Sequence, residues 1–258
     1  LVLFIDPEPA LFGLDKAASE PVRATTLLVA AWFGLFSIPL FMMTPDAPSS
    51  GISMAAAIRH GLAEFVTTIK QVRQNANIFR FLIARMFYTD GLTTLFAFGG
   101  IYAAGTFGMG FSELIMFGIA LNVTAGIGAA LFGWIDDGLG SKKTIVIAVS
   151  ALIVLSAAVL WAPTKTWFWI LGMPLGIFVG PAQAASRSMM THLAPPEMRN
   201  EMFGLYALSG KATAFMGPAL LGWVTAMANS QRAGMATILV FFIIGLLLLI
   251  SIREAGKS

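Results

Sequence analysis

The 258-residue chain is 57% hydrophobic and only 11% charged, with a mean hydropathy of +0.82; a soluble domain is about a quarter charged, and one globular core cannot hide this much apolar sequence from water. The net charge of +3 does not signal a nucleic-acid partner, because Lys and Arg stand at the ends of apolar runs rather than in one stripe. There is no cysteine, which excludes disulfides, thiolate metal sites and thiol nucleophiles, and His60 and His192 are far apart, so neither a metal nor a cofactor is expected.

Residues 1–5 read as the tail of an earlier apolar segment, and the chain is expected to start inside a longer protein. Seven segments approach the roughly 20 apolar residues that cross a bilayer: 24–44, 78–104, 112–135, 144–162, 167–192, 202–228 and 233–252. The span 78–104 is unusual in carrying Arg80, Arg85 and Asp90, whereas 233–252 carries no charge. After the first span comes a turn-rich break at 45–50. Then Ile58, Leu62, Phe65, Ile69 and Val72 recur at helical spacing among Arg59, Glu64, Lys70 and Arg73, predicting an amphipathic helix over 52–74. It suits either the membrane surface or the protein's own cytoplasmic face.

Short-loop cations set orientation. Arg59, Lys70, Arg73, Lys142, Lys143, Arg199, Arg253 and Lys257 fall on one side, predicted cytoplasmic, and Lys16, Arg23, Lys165 and Arg232 on the other. The C-terminus then ends in the cytoplasm, and the acidic stretch of Asp6, Glu8, Asp15 and Glu20 faces out.

The most informative local pattern runs from Gly133 through Asp136, Asp137, Gly138 and Gly140 to Lys142 and Lys143. Gly138 and Gly140 permit a tight reversal, and Asp137 is placed to accept from backbone donors at the next helix start or from a neighbouring cation. A plain topogenic turn would also use these residues. Gly133, Asp137, Gly140, Lys142 and Lys143 fall at the positions of the loop signature G-x-x-x-D-x-x-G-x-[KR]-[KR], and in this the chain resembles the major facilitator superfamily. It departs at Gly138, where a basic residue is usual, and at Ser141. Segments 81–105, 174–187 and 194–214 look like the vacuole-effluxer-like branch of that superfamily, whose founding members are autophagy-related amino-acid exporters of fungal vacuoles.

The resemblance implies an all-α, polytopic membrane fold of two six-helix bundles joined by a cytoplasmic linker. On that plan residues 1–44 end the N-terminal bundle, 45–77 form the linker, 78–252 form the C-terminal six-helix bundle and 253–258 the cytoplasmic tail. Expected partners are a small solute, the lipid bilayer and the N-terminal bundle of the same protein. The expected location is a bacterial inner membrane rather than a vacuolar one.

Ionisable groups inside a membrane are costly, and so mark functional candidates. Asp90 and Lys211 lie at similar depth, about 18 Å and 14 Å from the cytoplasmic end. An Asp90–Lys211 pair is therefore possible, in spans that the resemblance makes neighbours. Five helical residues turn Arg85 about 140° away from Asp90, so Arg85 must seek another span, a loop carboxylate or a lipid phosphate. Asn122, Gln183, Ser186, Arg187 and Tyr206 are weaker candidates; in the resembled family the span 167–192 lines the central cavity, which favours Gln183. Gly176, Gly180 with Pro181, and Gly217 with Pro218 are expected to interrupt their helices. Trp161, Trp167, Trp169 and Trp223 suit interface anchors.

These residues are compatible with three functions. The first is a secondary transporter of a small polar solute working by alternating access, with a proton as the expected coupling ion, since no nucleotide-binding loop is present. Asp90 would titrate or meet a substrate amine, and Lys211 and Arg85 would hold an anionic group, a combination that suits an amino acid. The second is a receptor or scaffold reusing the fold, with Asp90 and Lys211 buried against each other and no cavity. The third is a membrane enzyme, for which no nucleophile–base pair or metal set is visible.

Overall fold

The structure is a computed structural model, and it describes residues 13–15, 18, 20–45, 51 and 53–252. Residues 1–5, Asp6, Glu8, Lys16, most of the turn at 45–50 and the tail with Arg253 and Lys257 lie outside the described residues. Among those described, the order is α1 (Glu20–Met43), α2 (Met54–Gln74), α3 (Ala76–Phe107), α4 (Phe111–Leu139), α5 (Ser141–Leu160), α6 (Lys165–Leu193), a 3-10 turn (Pro196–Met198), α7 (Arg199–Ala212), α8 (Met216–Ala228) and α9 (Gln231–Ile250). The protein is an all-α, multi-pass membrane protein. Two compact units, Leu1–Ala57 and Ile58–Ser258, divide the chain within α2.

In the first unit α1 exposes apolar side chains all round, among them Leu27, Phe33 and Phe41. Such a helix has no polar face to turn to water.

In the second unit α9 packs along α3 and α8, and α6 packs along α4 and α5. Side chains too large for open loops close the centre: Phe81, Tyr88, Leu152, Met190 and Phe242 are almost wholly buried. Small residues bring the helices together. A Cβ at Gly245 would meet Tyr88 at 3.0 Å, and one at Gly91 would meet Phe242 at the same distance. Gly176 and Gly180 were expected to interrupt their helix, but α6 runs unbroken through Pro174 and Pro181. Both glycines serve close approach instead, since a Cβ at either would collide with α4, at Thr124 and Leu121 O or at Ala125 O.

Among the described residues, five helices are long and apolar enough to cross a membrane: α1 from Arg23, α4, α5, α6 and α9. The other two expected spans depart from the simple pattern for physical reasons. The 32-residue α3 carries the charges Arg80, Arg85 and Asp90. The expected span 202–228 is not one helix; it is broken at Thr213–Phe215 into α7, of 14 residues, and α8, of 13. Pro218 lies just beyond the break in the first turn of α8, where a missing N–H costs nothing.

Helix ends are fixed by side chains that the sequence supplies. Asn75 caps α3 by accepting from Ile78 N at 3.3 Å, and Thr164 and Ser230 cap α6 and α9. The α4–α5 reversal uses Gly140 alone, at φ 89°, where a side chain would be strained; Gly138 stays helical, contrary to the expected two-glycine turn. The amphipathic helix forms as α2. Thr68 and Val72, near its C-terminal end, are buried within the second unit, and Thr68 Oγ1 lies 2.9 Å from Glu201 Oε2 of α7. Ile58 and Leu62 remain exposed. Trp161, Trp167 and Trp223 are exposed, as anchors require, whereas Trp169 packs edge-on against Phe117.

Candidate functional site

The break in the α7–α8 span is held by two charges of α3. The guanidinium of Arg85 donates to Tyr206 O at 2.6 Å and to Ser209 Oγ at 2.8 Å, near the end of α7. Its Cζ lies 3.6 Å above the Tyr206 ring, adding a cation–π contact. Asp90 reaches the other half: its Oδ2 accepts the N–H of Gly217, in the first turn of α8, at 3.0 Å. A carboxylate thus meets the amide end of α8, as the helix dipole favours, while Arg85 ties down the second half of α7.

The donors at the start of α8 are all accounted for. Met216 N bonds Thr213 O at 2.8 Å, Gly217 N bonds Asp90, Pro218 has none, and Ala219 N bonds Phe215 O at 3.0 Å. Gly217 is required there, because a Cβ would strike Thr94 Oγ1. Asp90 is 2% exposed and Thr94 0%, and Asp90 Oδ1 and Thr94 Oγ1 have no hydrogen-bond partner among the described residues.

The expected Asp90–Lys211 pair does not form. The break turns Lys211 outward, exposed, while Asp90 faces the backbone beyond it. Lys211 instead lines a groove of about 780 Å³ between α3, α6 and α7, together with Arg85, Gln183, Arg187 and Tyr206. Five of the seven solute or coupling candidates converge there. No Asp or Glu lines it, so the groove is cationic. Ser186 stands in its wall, buried and bonded to Tyr88 Oη at 2.6 Å. Asp90 lies behind the groove rather than in it. Asn122 is elsewhere, its amide donating to Gly118 O of its own helix at 2.8 Å beside a smaller apolar pocket.

The loop motif also resolves differently from its expectation. Asp137 is exposed and has no hydrogen bond or ion pair among the described residues; α4 continues past it to Leu139, so it never meets the start of α5. Gly133 and Lys143 are exposed too. Lys142 carries the contact: its Nζ donates to Ile250 O at 3.2 Å and to Ile252 O at 2.6 Å, closing the carbonyl end of α9. Arg80 Nη1 reaches Ser251 O, at 3.4 Å, in the same place. At the opposite end of α4, Lys165 pairs with Glu113 at 2.8 Å.

Reading the sequence missed Thr94, Gly210, Phe96 and the role of Lys142. Gly210 had a faint signal, a glycine beside Lys211; a Cβ there would come within 2.7 Å of Arg85 Nη1. The others have partners more than 100 residues away or share a wall with ordinary apolar residues.

A multi-pass helical fold with a span broken at mid-length and a polar groove beside the break is an arrangement that membrane transporters share. The chain belongs to the vacuole effluxer Atg22-like family, whose profile matches residues 9–257. It is 27% identical over 255 residues to the uncharacterized MFS-type transporter YxiO of Bacillus subtilis, covering 96% of this chain and 59% of that protein. It is 25% identical over 264 residues to autophagy-related protein 22 of Cryptococcus neoformans, covering 95% and 46%, and 23% identical over 268 residues to that of Yarrowia lipolytica, covering 92% and 46%. The chain spans about half the length of the curated relatives it matches. The family is one of transporters, not an enzyme class.

Proposed function

We propose that the full-length protein is a secondary transporter that moves a small polar solute by alternating access, with the groove between α3, α6 and α7 as this chain's share of the solute site. The observation that carries this reading is the convergence of Arg85, Arg187 and Lys211, with Gln183, on one groove that no carboxylate lines. Arg85 is half-buried while Arg187 and Lys211 are exposed along the groove, and unneutralised cations within a membrane are costly unless water and an anionic group reach them. Arg85 is already oriented by Tyr206 and Ser209, so little freedom is lost when it binds. A carboxylate is the simplest group that fits.

Amino-acid efflux follows as the finer reading. The carboxylate would be held here, and the ammonium group would meet residues outside this chain, because the groove offers it no acid. Asp90 then acts on the protein rather than on the solute. Protonation of its carboxylate would weaken the Gly217 contact and free α8 to move against α7, which ties a proton to the break. The basic ends, with Lys142, Lys143 and Arg199, would face the cytoplasm of a bacterial inner membrane.

A receptor or scaffold would call for Asp90 and Lys211 buried against each other and no cavity, and neither condition is met. The transport reading is tested with full-length protein in liposomes, by counterflow of a panel of labelled amino acids and small carboxylates under an imposed pH gradient. Saturable exchange of at least one carboxylate-bearing solute, lost in Lys211→Gln, is expected. No exchange of any solute would overturn it.

A further inference from the structure

We infer that the apolar pocket beside the cationic groove is a second subsite, which receives the hydrocarbon tail of the solute whose anionic head the groove holds. This half of the protein would then select small amphipathic anions. The inference rests on the transport reading, and it adds a site and a specificity to it.

The pocket has a volume of about 190 Å³ and lies between α3, α4 and α6. Leu114, Phe117, Leu121, Leu175 and Val179 give it aliphatic and aromatic walls, and Phe96 lines both this pocket and the groove. The cationic and apolar spaces therefore meet at one side chain. The room exists because Gly99, Gly100, Gly118 and Gly172 present no side chain to it. An apolar cavity of about 150 Å³ stays dry and binds benzene, so this one has space for a branched aliphatic or a phenyl group.

The one polar side-chain amide in the wall, Asn122, is engaged with Gly118 O of its own helix. The wall also holds the Tyr102 hydroxyl, but a charged tail finds no counter-charge here and loses its hydration. Each methylene moved from water into such a pocket tightens binding about fourfold. Chain length is therefore the variable that reads the pocket.

The test uses purified full-length protein and a series of straight-chain monocarboxylates from acetate to hexanoate, with phenylacetate, titrated calorimetrically. The expected result is a rise in affinity of about fourfold per methylene until the pocket is full. Gly99→Leu should flatten that gradient and leave acetate binding unchanged. Gly118→Leu should do the same. A Cβ at either position meets nothing within 4 Å, so both variants have space to fold. Lys211→Gln should weaken every acid by one common factor.

A gradient that survives both leucine variants, or no gradient at all in the parent protein, overturns the inference. If no carboxylate binds but liposomes exchange some other solute, the subsite falls and transport stands. If nothing binds and nothing is exchanged, the transport reading falls with it.

Discussion

The carboxylate of Asp90 caps a helix start created within its neighbour: its Oδ2 accepts the N–H of Gly217 at 3.0 Å, in the first turn of α8. Removing the acceptor leaves that N–H buried and unbonded, which costs about 1–3 kcal/mol. Asp90→Ala should therefore lower the thermal midpoint of the full-length protein in detergent, whereas Asp90→Asn keeps an amide oxygen for Gly217 and should lose less. Equal losses in the two variants would show that charge, not the cap, is what α8 needs.

Gly210 makes room for Arg85. A Cβ there would sit 2.7 Å from Arg85 Nη1 and 3.2 Å from Cζ, so Gly210→Ala must push the guanidinium off Tyr206. Overpacking of this kind costs about 1–3 kcal/mol. Binding of a carboxylate solute should weaken about tenfold, since the guanidinium leaves its oriented position. Calorimetric titration of the variant against the parent checks it.

Gly176 is the tightest point of the α4–α6 contact, with Thr124 and Leu121 O where a Cβ would go. Gly176→Leu must drive the two helices apart and should abolish recovery of folded protein, by several kcal/mol. Gly133→Leu, at an open position, should be recovered like the parent. Yield of monodisperse protein on size exclusion separates the two.

Lys142 and Lys143 are adjacent, yet only Lys142 reaches the carbonyls of Ile250 and Ile252. Lys142→Ala should cost about 1 kcal/mol and speed amide hydrogen exchange over the last turn of α9. Lys143→Ala should leave that exchange as it is. Matching protection in both variants would remove the capping role.

The membrane class was readable because charge-free runs are long, and α4, α5, α6 and α9 needed only counting. The turn of about 140° between Arg85 and Asp90 did not send them to different spans as expected, because both reach the one broken span, Arg85 at Tyr206 and Ser209 and Asp90 at Gly217. What each one meets was not readable. Both partners are backbone groups beside the break, and residues 213–215 carry no helix-breaking residue, so hydropathy runs through them unmarked. Pro218 marked the neighbourhood but not the position. Lys142 read as a topogenic charge because its acceptors, Ile250 O and Ile252 O, are carbonyls far along the chain that no side-chain pattern announces. The apolar pocket left no trace because its glycines and leucines are ordinary residues of membrane helices.

Thiol labelling tests the groove most directly, because this chain contains no cysteine of its own. Thr93→Cys and Ala207→Cys place a reporter on the α3 and α7 walls of the groove, and Val154→Cys places one on the exposed apolar surface of α5. In the full-length protein, with any cysteines outside this chain replaced, a membrane-impermeant maleimide should modify the two groove positions. A transported carboxylate should protect them, and Val154→Cys should stay unlabelled in lipid. Groove cysteines that resist the reagent from both sides of the membrane would contradict the account, because cations that water never reaches hold no passenger.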